Sequence, residues 1–130
     1  VVAQSDVVSI HLPLIPQTRN LVDDNIIRMM KPSSFLINTS RGGIVDETAL
    51  CAALNNGMLA GAALDVFEHE PPYEDSPLFQ TKNLILTPHA AALTKECVLR
   101  IAQTAAEGIF DFLSGHDPKY IYNSQHLNKV

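Results

Sequence analysis

Short apolar runs and amphipathic segments alternate along this chain, and their order predicts its secondary structure. Four runs rich in valine, isoleucine and leucine have the length and composition of buried strands. We predict strands at residues 6–12, 34–38, 59–66 and 83–87. The first run is mostly apolar and β-branched, which is typical of a strand buried on both faces of a sheet.

Three further segments have helical features. Acidic residues begin the segment 23–30, and a Lys-Pro pair ends it. A second helix over residues 47–56 would have Asp46 as its cap and Gly57 as its left-handed stop. From Thr94 as the cap to Ser114, apolar side chains recur three and four positions apart, which predicts a long amphipathic helix.

The element order is strand, helix, strand, helix, strand, loop, strand, helix. It predicts right-handed crossovers and a mostly parallel sheet with helices on both faces. The predicted fold class is therefore α/β: the C-terminal half of a doubly wound, Rossmann-like parallel sheet over residues 1–92, followed by a long helix and tail over residues 93–130. The phosphate-binding pattern G-x-G-x-x-G of a complete dinucleotide fold does not occur in these residues.

Composition and charge exclude several classes of protein. The 130 residues are 46% hydrophobic and 18% charged with a net charge of −5, so the chain lacks the basic surface that nucleic acids and anionic membranes require. No apolar run approaches the roughly 18–20 residues of a membrane-spanning helix. Cys51 and Cys97 lack metal-site spacing, and we interpret them as buried free thiols of a cytoplasmic protein rather than as a disulfide. We expect no metal, nucleic-acid or membrane partner.

Polar residues follow the predicted strands at the ends that a parallel sheet would align. The second strand runs into NTSRGG at residues 38–43, the third ends at Asp65 and leads to Glu68 and Glu70, and the fourth leads to His89. The carboxyl ends of parallel strands line a common crevice in which ligands bind. The sequence thus predicts a ligand site at this edge of the sheet.

Arg41, Glu70 and His89 carry the candidate chemistry of that site. The planar guanidinium of Arg41 matches a carboxylate bidentately, and the glycines after it let a ligand approach the backbone. A surface ion pair of Arg41 with Asp46 or Glu47 is the alternative. His89 suits proton transfer near neutral pH, although a lone histidine more often has a structural role. A carboxylate such as Glu70 beside it would orient the ring and favour its charged form.

The other titratable residues are weaker candidates. Asp65 ends an apolar strand, so we expect it to point into the crevice. Among the remaining histidines, we expect His11 to line a pocket and His69 to lie in a loop, while His116 and His126 belong to a solvated tail.

Four segments of the chain carry its resemblance to a known family. They are SDVVSIHLPLIPQTRNLVD, MMKPSSFLINTSRGGIVDETAL, LAGAALDVFEHEPP and NLILTPHAAALT, within about residues 6–123. On these segments the chain resembles the D-isomer-specific 2-hydroxyacid dehydrogenases, which include D-3-phosphoglycerate, hydroxypyruvate/glyoxylate and D-lactate dehydrogenases. Family members are longer, so the resemblance implies a substrate domain and a glycine-rich phosphate loop upstream of Val1. It also implies that the helix and tail over residues 93–130 return towards that substrate domain and end near the natural C-terminus.

The resemblance implies an oxidoreductase that transfers a hydride between NAD(P)H and a small 2-oxo acid or D-2-hydroxy acid. Arg41 would hold the substrate, and His89, oriented by Glu70, would give the proton. Asp65 would bond the cofactor carboxamide. The residues that would contact the NAD or NADP cofactor are Pro13, Thr39, Ser40, Arg41, Asp65, His89, Ala91 and Ala92, the last two standing where many relatives have glycine. Formate dehydrogenases have glutamine in place of Glu70, so we do not expect formate as the substrate.

Two other functions are compatible with the same residues. A non-catalytic dinucleotide-sensing protein, similar to the corepressors of this fold, would retain much of the site. Alternatively, the chain is an assembly module, since a half sheet leaves an open edge and uncovered helix faces that associate into dimers or aggregates. The family resemblance itself implies a homodimer. We expect no turnover by these residues alone, because no glycine loop anchors the pyrophosphate.

Overall fold

The computed structural model describes residues 1–124 and divides the chain into two units. The first unit, Val1–Ala91, holds a parallel sheet and two helices, and the second, which begins at Ala92, holds one long helix. None of the helices in this described range has the length and apolar character needed to cross a bilayer.

The predicted strands and helices are all present. The sheet is built from β1 (Val7–Ile10), β2 (Phe35–Asn38), β3 (Gly61–Leu64) and β4 (Leu84–Leu86). The helices are α1 (Asp24–Arg28), α2 (Glu47–Asn55) and α3 (Lys95–Leu113), and two short 3-10 helices span Val2–Gln4 and Pro77–Gln80. The elements are somewhat shorter than predicted because the apolar runs extend into caps and into the loops that follow the strands.

All neighbouring strands are parallel, and they lie in the order β1-β2-β3-β4. The register sets the last residues of the strands in one row: Ile10 lies opposite Asn38, Asn38 opposite Leu64, and Leu64 opposite Leu86. The residues that follow the strands therefore leave the sheet at the same level. The parallel α/β architecture is confirmed, and the polar strand ends share one edge of the sheet.

One face of the sheet is covered within the first unit and the other is open. On the covered face Ile10 and Leu36 are 6% and 0% exposed, whereas Val7 and Ile85 on the opposite face are 54% and 67% exposed. Helices α1 and α2 contact each other. Crossovers of one hand between consecutive strands leave their helices on the same face. The predictions of helices on both faces and of a first strand buried on both faces are therefore wrong for this unit.

Side-chain caps and glycine fix the helix ends. Asp46 caps α2 by accepting the N–H of Ala49 at 2.9 Å, and Gly57 follows that helix with a left-handed φ of 68°, both as predicted. Thr94 caps α3 by accepting the N–H of Cys97 at 3.2 Å. The largest fully buried apolar side chains pack between the sheet and its helices: Ile27, Leu36, Ile44, Leu50, Leu59, Leu64, Val45 and Val66. By contrast, no residue of α3 is buried.

Both cysteines are free thiols, as predicted. Cys51 lies in α2 and is buried, whereas Cys97 lies in α3 and is only partly buried. The expectation that both thiols are buried therefore holds for Cys51 alone.

Truncation of one side chain on each face of the sheet will distinguish the covered face from the open one. We expect Leu36→Ala to lower the free energy of unfolding by about 2–5 kcal/mol, because it leaves a cavity in the core. We expect Ile85→Ala, the control on the open face, to change it by less than about 0.5 kcal/mol when the chain is dilute enough to be monomeric. Urea denaturation followed by circular dichroism measures both, and equal losses would contradict the one-sided packing.

Candidate functional site

The loop after β2 is shaped by the buried side chain of Asn38, which is 1% exposed. Its Oδ1 accepts the backbone N–H and the hydroxyl of Ser40 at 3.1 and 3.0 Å, and its Nδ2 donates to the carbonyl of Arg41 at 2.9 Å. The exposed Arg41 then donates from Nη1 to the Ser40 carbonyl at 2.7 Å. Within the described residues Arg41 forms no ion pair with Asp46 or Glu47, so that alternative is wrong.

Gly42 lets this loop touch the segment that follows β3. A Cβ atom at Gly42 would lie 1.7 Å from the carbonyl oxygen of Phe67 and 2.7 Å from the amide nitrogen of Glu68. Any side chain at this position would therefore force the two loops apart. The close approach brings the loop of Arg41 against the segment that carries Glu70.

The carboxylate of Asp65 organises the turn after β4. Its Oδ1 accepts the Thr87 hydroxyl at 2.5 Å and the Ala90 N–H at 2.8 Å, and its Oδ2 accepts the Ala91 N–H at 2.8 Å. Burial alone would raise the pKa of the Asp65 carboxyl, but these hydrogen bonds outweigh it and lower the pKa. Asp65 is 3% exposed and its carboxylate is bound to protein groups. The side chain that we expect to point into the crevice is thus directed at the turn after β4.

His89 lies in the turn that Asp65 holds. Its φ is +51°, in the left-handed region that residues other than glycine seldom occupy. Its own N–H donates to the Thr87 carbonyl at 3.0 Å, while the two amides that follow it are held by Asp65. Such a backbone conformation persists when surrounding contacts determine it, as they do here. The imidazole is left 49% exposed at the edge of the sheet.

Glu70 and His89 meet across this edge. The Oε2 atom of Glu70 lies 2.8 Å from Nδ1 of His89, and Oε1 accepts the N–H of Phe67 at 3.0 Å. The hydrogen bond with His89 lowers the pKa of the Glu70 carboxyl, helped by the Phe67 N–H and, more weakly, by the charge of Arg41. Because an ionised carboxylate only accepts hydrogen bonds, Nδ1 carries a hydrogen. Nε2 is the ring nitrogen left for a ligand.

Three other predicted contact residues do not take part in the hydrogen bonds of this network. Pro13 follows β1, and its carbonyl accepts the Thr18 hydroxyl at 2.7 Å. Thr39 is exposed directly after β2. Ala92 belongs to the second unit.

The remaining histidines lie outside the network. His11 lines an apolar groove together with Val8 and Leu21, as expected, and its Nε2 lies 2.8 Å from the Ser9 hydroxyl. His69 lies in its loop stacked on a tyrosine, with 3.9 Å between the ring centroids of His69 and Tyr73. His116 is exposed as predicted, and His126 lies outside the described residues.

Two residues with a structural part in the site were missed by sequence reasoning. The hydroxyl of Thr87 donates to Asp65, and Oε1 of Glu47 accepts the Glu68 N–H at 2.6 Å. A threonine directly after a buried strand was an available signal for the first contact. The sequence presents Glu47 as an acidic residue in the first turn of a helix and as a possible partner of Arg41, so its contact with the Glu68 amide required the structure.

The arrangement offers a guanidinium for a carboxylate or carbonyl oxygen and an imidazole whose orientation is set by a carboxylate. These are the parts needed to bind an oxo acid and to move one proton. Among residues 1–124, no group of His, Cys, Asp and Glu side chains could hold a metal ion.

Comparison with known proteins finds relatives of similar sequence and architecture. The family model described as "D-isomer specific 2-hydroxyacid dehydrogenase, NAD binding domain" matches residues 1–91. A curated relative, the glyoxylate reductase of Aeropyrum pernix, is 47% identical over 122 residues, which are 94% of this chain. The chain spans 36% of the length of that relative.

Solved structures of the family carry both forms of the cofactor. A D-isomer specific 2-hydroxyacid dehydrogenase from Lactobacillus delbrueckii ssp. bulgaricus, in its NAD-complexed form, is 32% identical with a TM-score of 0.83. The match covers 95% of this chain and 41% of that one. The enzyme of the same description from Xanthobacter autotrophicus Py2, in complex with NADPH and MES, is 37% identical with a TM-score of 0.76. That match covers 91% of this chain and 48% of the other.

The Glu70–His89 pair predicts a specific dependence of stability on pH. A carboxyl whose pKa is lowered on folding contributes stability above its unfolded pKa, and this contribution is lost as the pH falls through the folded pKa. The ordinary value for Glu70 is 4.5, so the loss occurs below that pH. We expect Glu70→Gln to cost about 1 kcal/mol or less near neutral pH, since the pair is partly exposed. The difference from the parent chain should shrink below pH 4.5.

Urea denaturation at a series of pH values measures this effect. Glu74→Gln is the matched control, because it removes the same charge from an exposed position in the same loop. A difference between the Glu70→Gln variant and the parent chain that stays constant below pH 4.5 would contradict the assigned pair.

Proposed function

The chain belongs to the D-isomer-specific 2-hydroxyacid dehydrogenase family, and from this we propose that it supplies the reacting residues of an NAD(P)-dependent oxidoreductase. The reaction interconverts a small 2-oxo acid and the corresponding D-2-hydroxy acid. The observation that carries the proposal is the 2.8 Å contact of Glu70 with His89, close enough to Arg41 for the arginine charge to lower the pKa of the Glu70 carboxyl. The three side chains thus act on one another at one sheet edge.

Arg41 binds the acid. One of its N–H groups is held by the Ser40 carbonyl at 2.7 Å, which fixes the direction of the guanidinium and leaves its other donors for a ligand. A planar fork of donors matches the paired oxygens of a 2-oxo acid better than the point charge of lysine. Arg41 therefore orients the carboxylate and polarises the neighbouring carbonyl.

His89 moves the proton. Its Nδ1–H is held by Glu70, whose lowered pKa keeps the carboxylate ionised at neutral pH, so the ring is oriented with Nε2 left for the substrate. Nε2 then donates its proton to the carbonyl oxygen during reduction and accepts a proton from the hydroxyl during oxidation. A bound nicotinamide dinucleotide supplies or accepts the hydride.

The residues of this chain fit the nicotinamide end of that cofactor. A carboxylate offers about four acceptor positions, and three hydrogen bonds occupy the carboxylate of Asp65, which leaves one for an amide donor. We assign to this end Pro13, Thr39, Ser40, Arg41, Asp65, His89, Ala91 and Ala92. The NAD and NADPH complexes of family members support either form of the cofactor.

We also propose that the protein is a cytoplasmic homodimer. The free state of Cys51 and Cys97 supports a reducing compartment. The open sheet face supports association of two copies, because Val7, Phe35 and Ile85 are exposed on that one face, with Val7 directly opposite Phe35. A second copy of the chain would remove this apolar surface from water.

Replacement of the histidine tests the chemistry. In the longest natural protein that contains this sequence, we expect His89→Asn to lower kcat/KM for glyoxylate reduction by about 10²–10⁴-fold, because general acid catalysis is lost. His69→Asn, which changes a histidine outside the pair, should leave the rate within about twofold of the parent. Oxidation of NADH or NADPH followed at 340 nm gives the rates. Cofactor binding without turnover on any 2-oxo acid would instead favour a dinucleotide sensor.

Light scattering tests the dimer. We expect the chain to have a mass of about twice 14.2 kDa at micromolar concentration, and Ile85→Lys on the open sheet face to shift it towards a monomer. Phe79→Lys is the control, since Phe79 is 56% exposed on a 3-10 helix outside the sheet. A stable monomer, or a dimer unaffected by Ile85→Lys, would overturn the proposed interface.

A further inference from the structure

We propose that Glu47 is a positioning residue for the reaction: through the backbone amide of Glu68 it fixes the place of Glu70 beside His89. This inference rests on the proposed function, because the position of Glu70 matters to the chemistry only if His89 transfers a proton. Glu47 itself contacts neither His89 nor Glu70 by a hydrogen bond within the described residues.

The contact of Glu47 crosses between two elements that are far apart in sequence. Glu47 is the first residue of α2, and its Oε1 accepts the Glu68 N–H at 2.6 Å. Burial raises the pKa of the Glu47 carboxyl, and so do the nearby negative charges of Glu68, Asp46 and Glu70. The hydrogen bond from the Glu68 backbone N–H acts in the opposite direction and lowers that pKa. A half-buried acid among other acids is costly, and the amide is the group that compensates it.

Two consecutive backbone amides point at two carboxylates in this segment. The Phe67 N–H donates to Glu70 at 3.0 Å, and the next N–H, that of Glu68, donates to Glu47 at 2.6 Å. The carbonyl of Phe67 is pressed against Gly42, where no Cβ could fit. Phe67, whose N–H orients Glu70, is thus followed directly by a peptide group that is fixed at two points, its carbonyl by Gly42 and its N–H by Glu47.

The helix that carries Glu47 is fixed in the core. Helix α2 begins at the Asp46 cap and buries Leu50 and Leu54, at 0% and 2% exposure, in the core. The other tie to this segment is a 3.9 Å ion pair between the exposed side chains of Arg19 and Glu68, and surface pairs of this kind contribute little. Loss of the Glu47 acceptor would therefore leave the Glu68 N–H without its hydrogen-bond partner, and the segment would be held by the buried Phe67 side chain and the contact with Gly42.

Electrostatics and positioning predict different effects of removing Glu47. The pKa of the Glu47 carboxyl is raised and that of Glu70 is lowered, so Glu47 is mostly neutral where Glu70 titrates, and loss of its charge alone would leave the pKa of Glu70 unchanged or slightly lower. Loss of positioning would weaken the bonds from Phe67 and His89 and raise that pKa towards its ordinary value of 4.5. The sign of the change distinguishes the two effects.

The experiment is an NMR titration of the Glu70 carboxyl carbon in the 130-residue chain and four variants. Glu47→Ala removes the acceptor. Glu47→Asp keeps the carboxylate, but the side chain is too short to reach the Glu68 N–H, and Glu47→Gln keeps an acceptor oxygen at the same length. Glu68→Gln is the matched control, because it removes an adjacent charge and leaves the amide in place. Amide spectra of residues in β1–β4 verify the fold of each variant.

We expect the pKa of Glu70 to rise towards 4.5 in Glu47→Ala and Glu47→Asp, and to stay low in Glu47→Gln and Glu68→Gln. The Glu68 amide should exchange with solvent about tenfold faster or more in Glu47→Ala, as a hydrogen bond to a charged acceptor is lost. A pKa in Glu47→Ala equal to or below that of the parent would overturn the proposal, as would an equal rise in Glu47→Gln.

If Glu47→Ala does not fold, the pKa of Glu70 in Glu47→Asp tests the proposal by the same criterion. The titration reports pairing and not turnover, so its outcome is independent of the kinetic test of the proposed function. A rise of the Glu70 pKa in a chain that lacks dehydrogenase activity in its natural protein would support the positioning role and reject only the reaction.

Discussion

The buried carboxylate of Asp65 is the constraint on which the candidate site depends. Three hydrogen bonds to it, from Thr87, Ala90 and Ala91, tie the end of β3 to the turn after β4. His89 lies inside that turn with a left-handed backbone that a free loop would not favour. The placement of the imidazole is thus determined by a group that the sequence puts more than twenty positions earlier, at the end of a neighbouring strand.

The sheet register makes such contacts possible. Because Asn38, Leu64 and Leu86 lie in one row, Arg41, Asp65 and His89 begin from the same level, and loops of a few residues suffice to bring them together. Close approach then completes the site, since Gly42 admits the Phe67 carbonyl that any side chain would displace. Strand alignment places these three residues near one another, and backbone contacts between the loops set the distances between their side chains.

Sequence reasoning predicted the parts of this structure that depend on local pattern and strand order. Asp46, Gly57 and Thr94 mark helix ends because capping is a short-range property, and the parallel sheet follows from the alternation of elements. The open sheet face was missed because Val7 and Ile85 are as apolar as residues that are buried. The side chain of Asp65 is buried because it accepts backbone N–H groups from the turn after β4, and no pattern in its own segment predicts those partners.

Asp65 and Glu70 divide two tasks that a single carboxylate could not perform together. Asp65 is bound by a hydroxyl and two backbone amides, which fix the turn, and the charge of His89 also contributes to lowering the pKa of Asp65. Glu70 is partly exposed and shares its hydrogen bond with the imidazole ring. Asp65 therefore acts chiefly on the backbone around the histidine, and Glu70 acts on its ring.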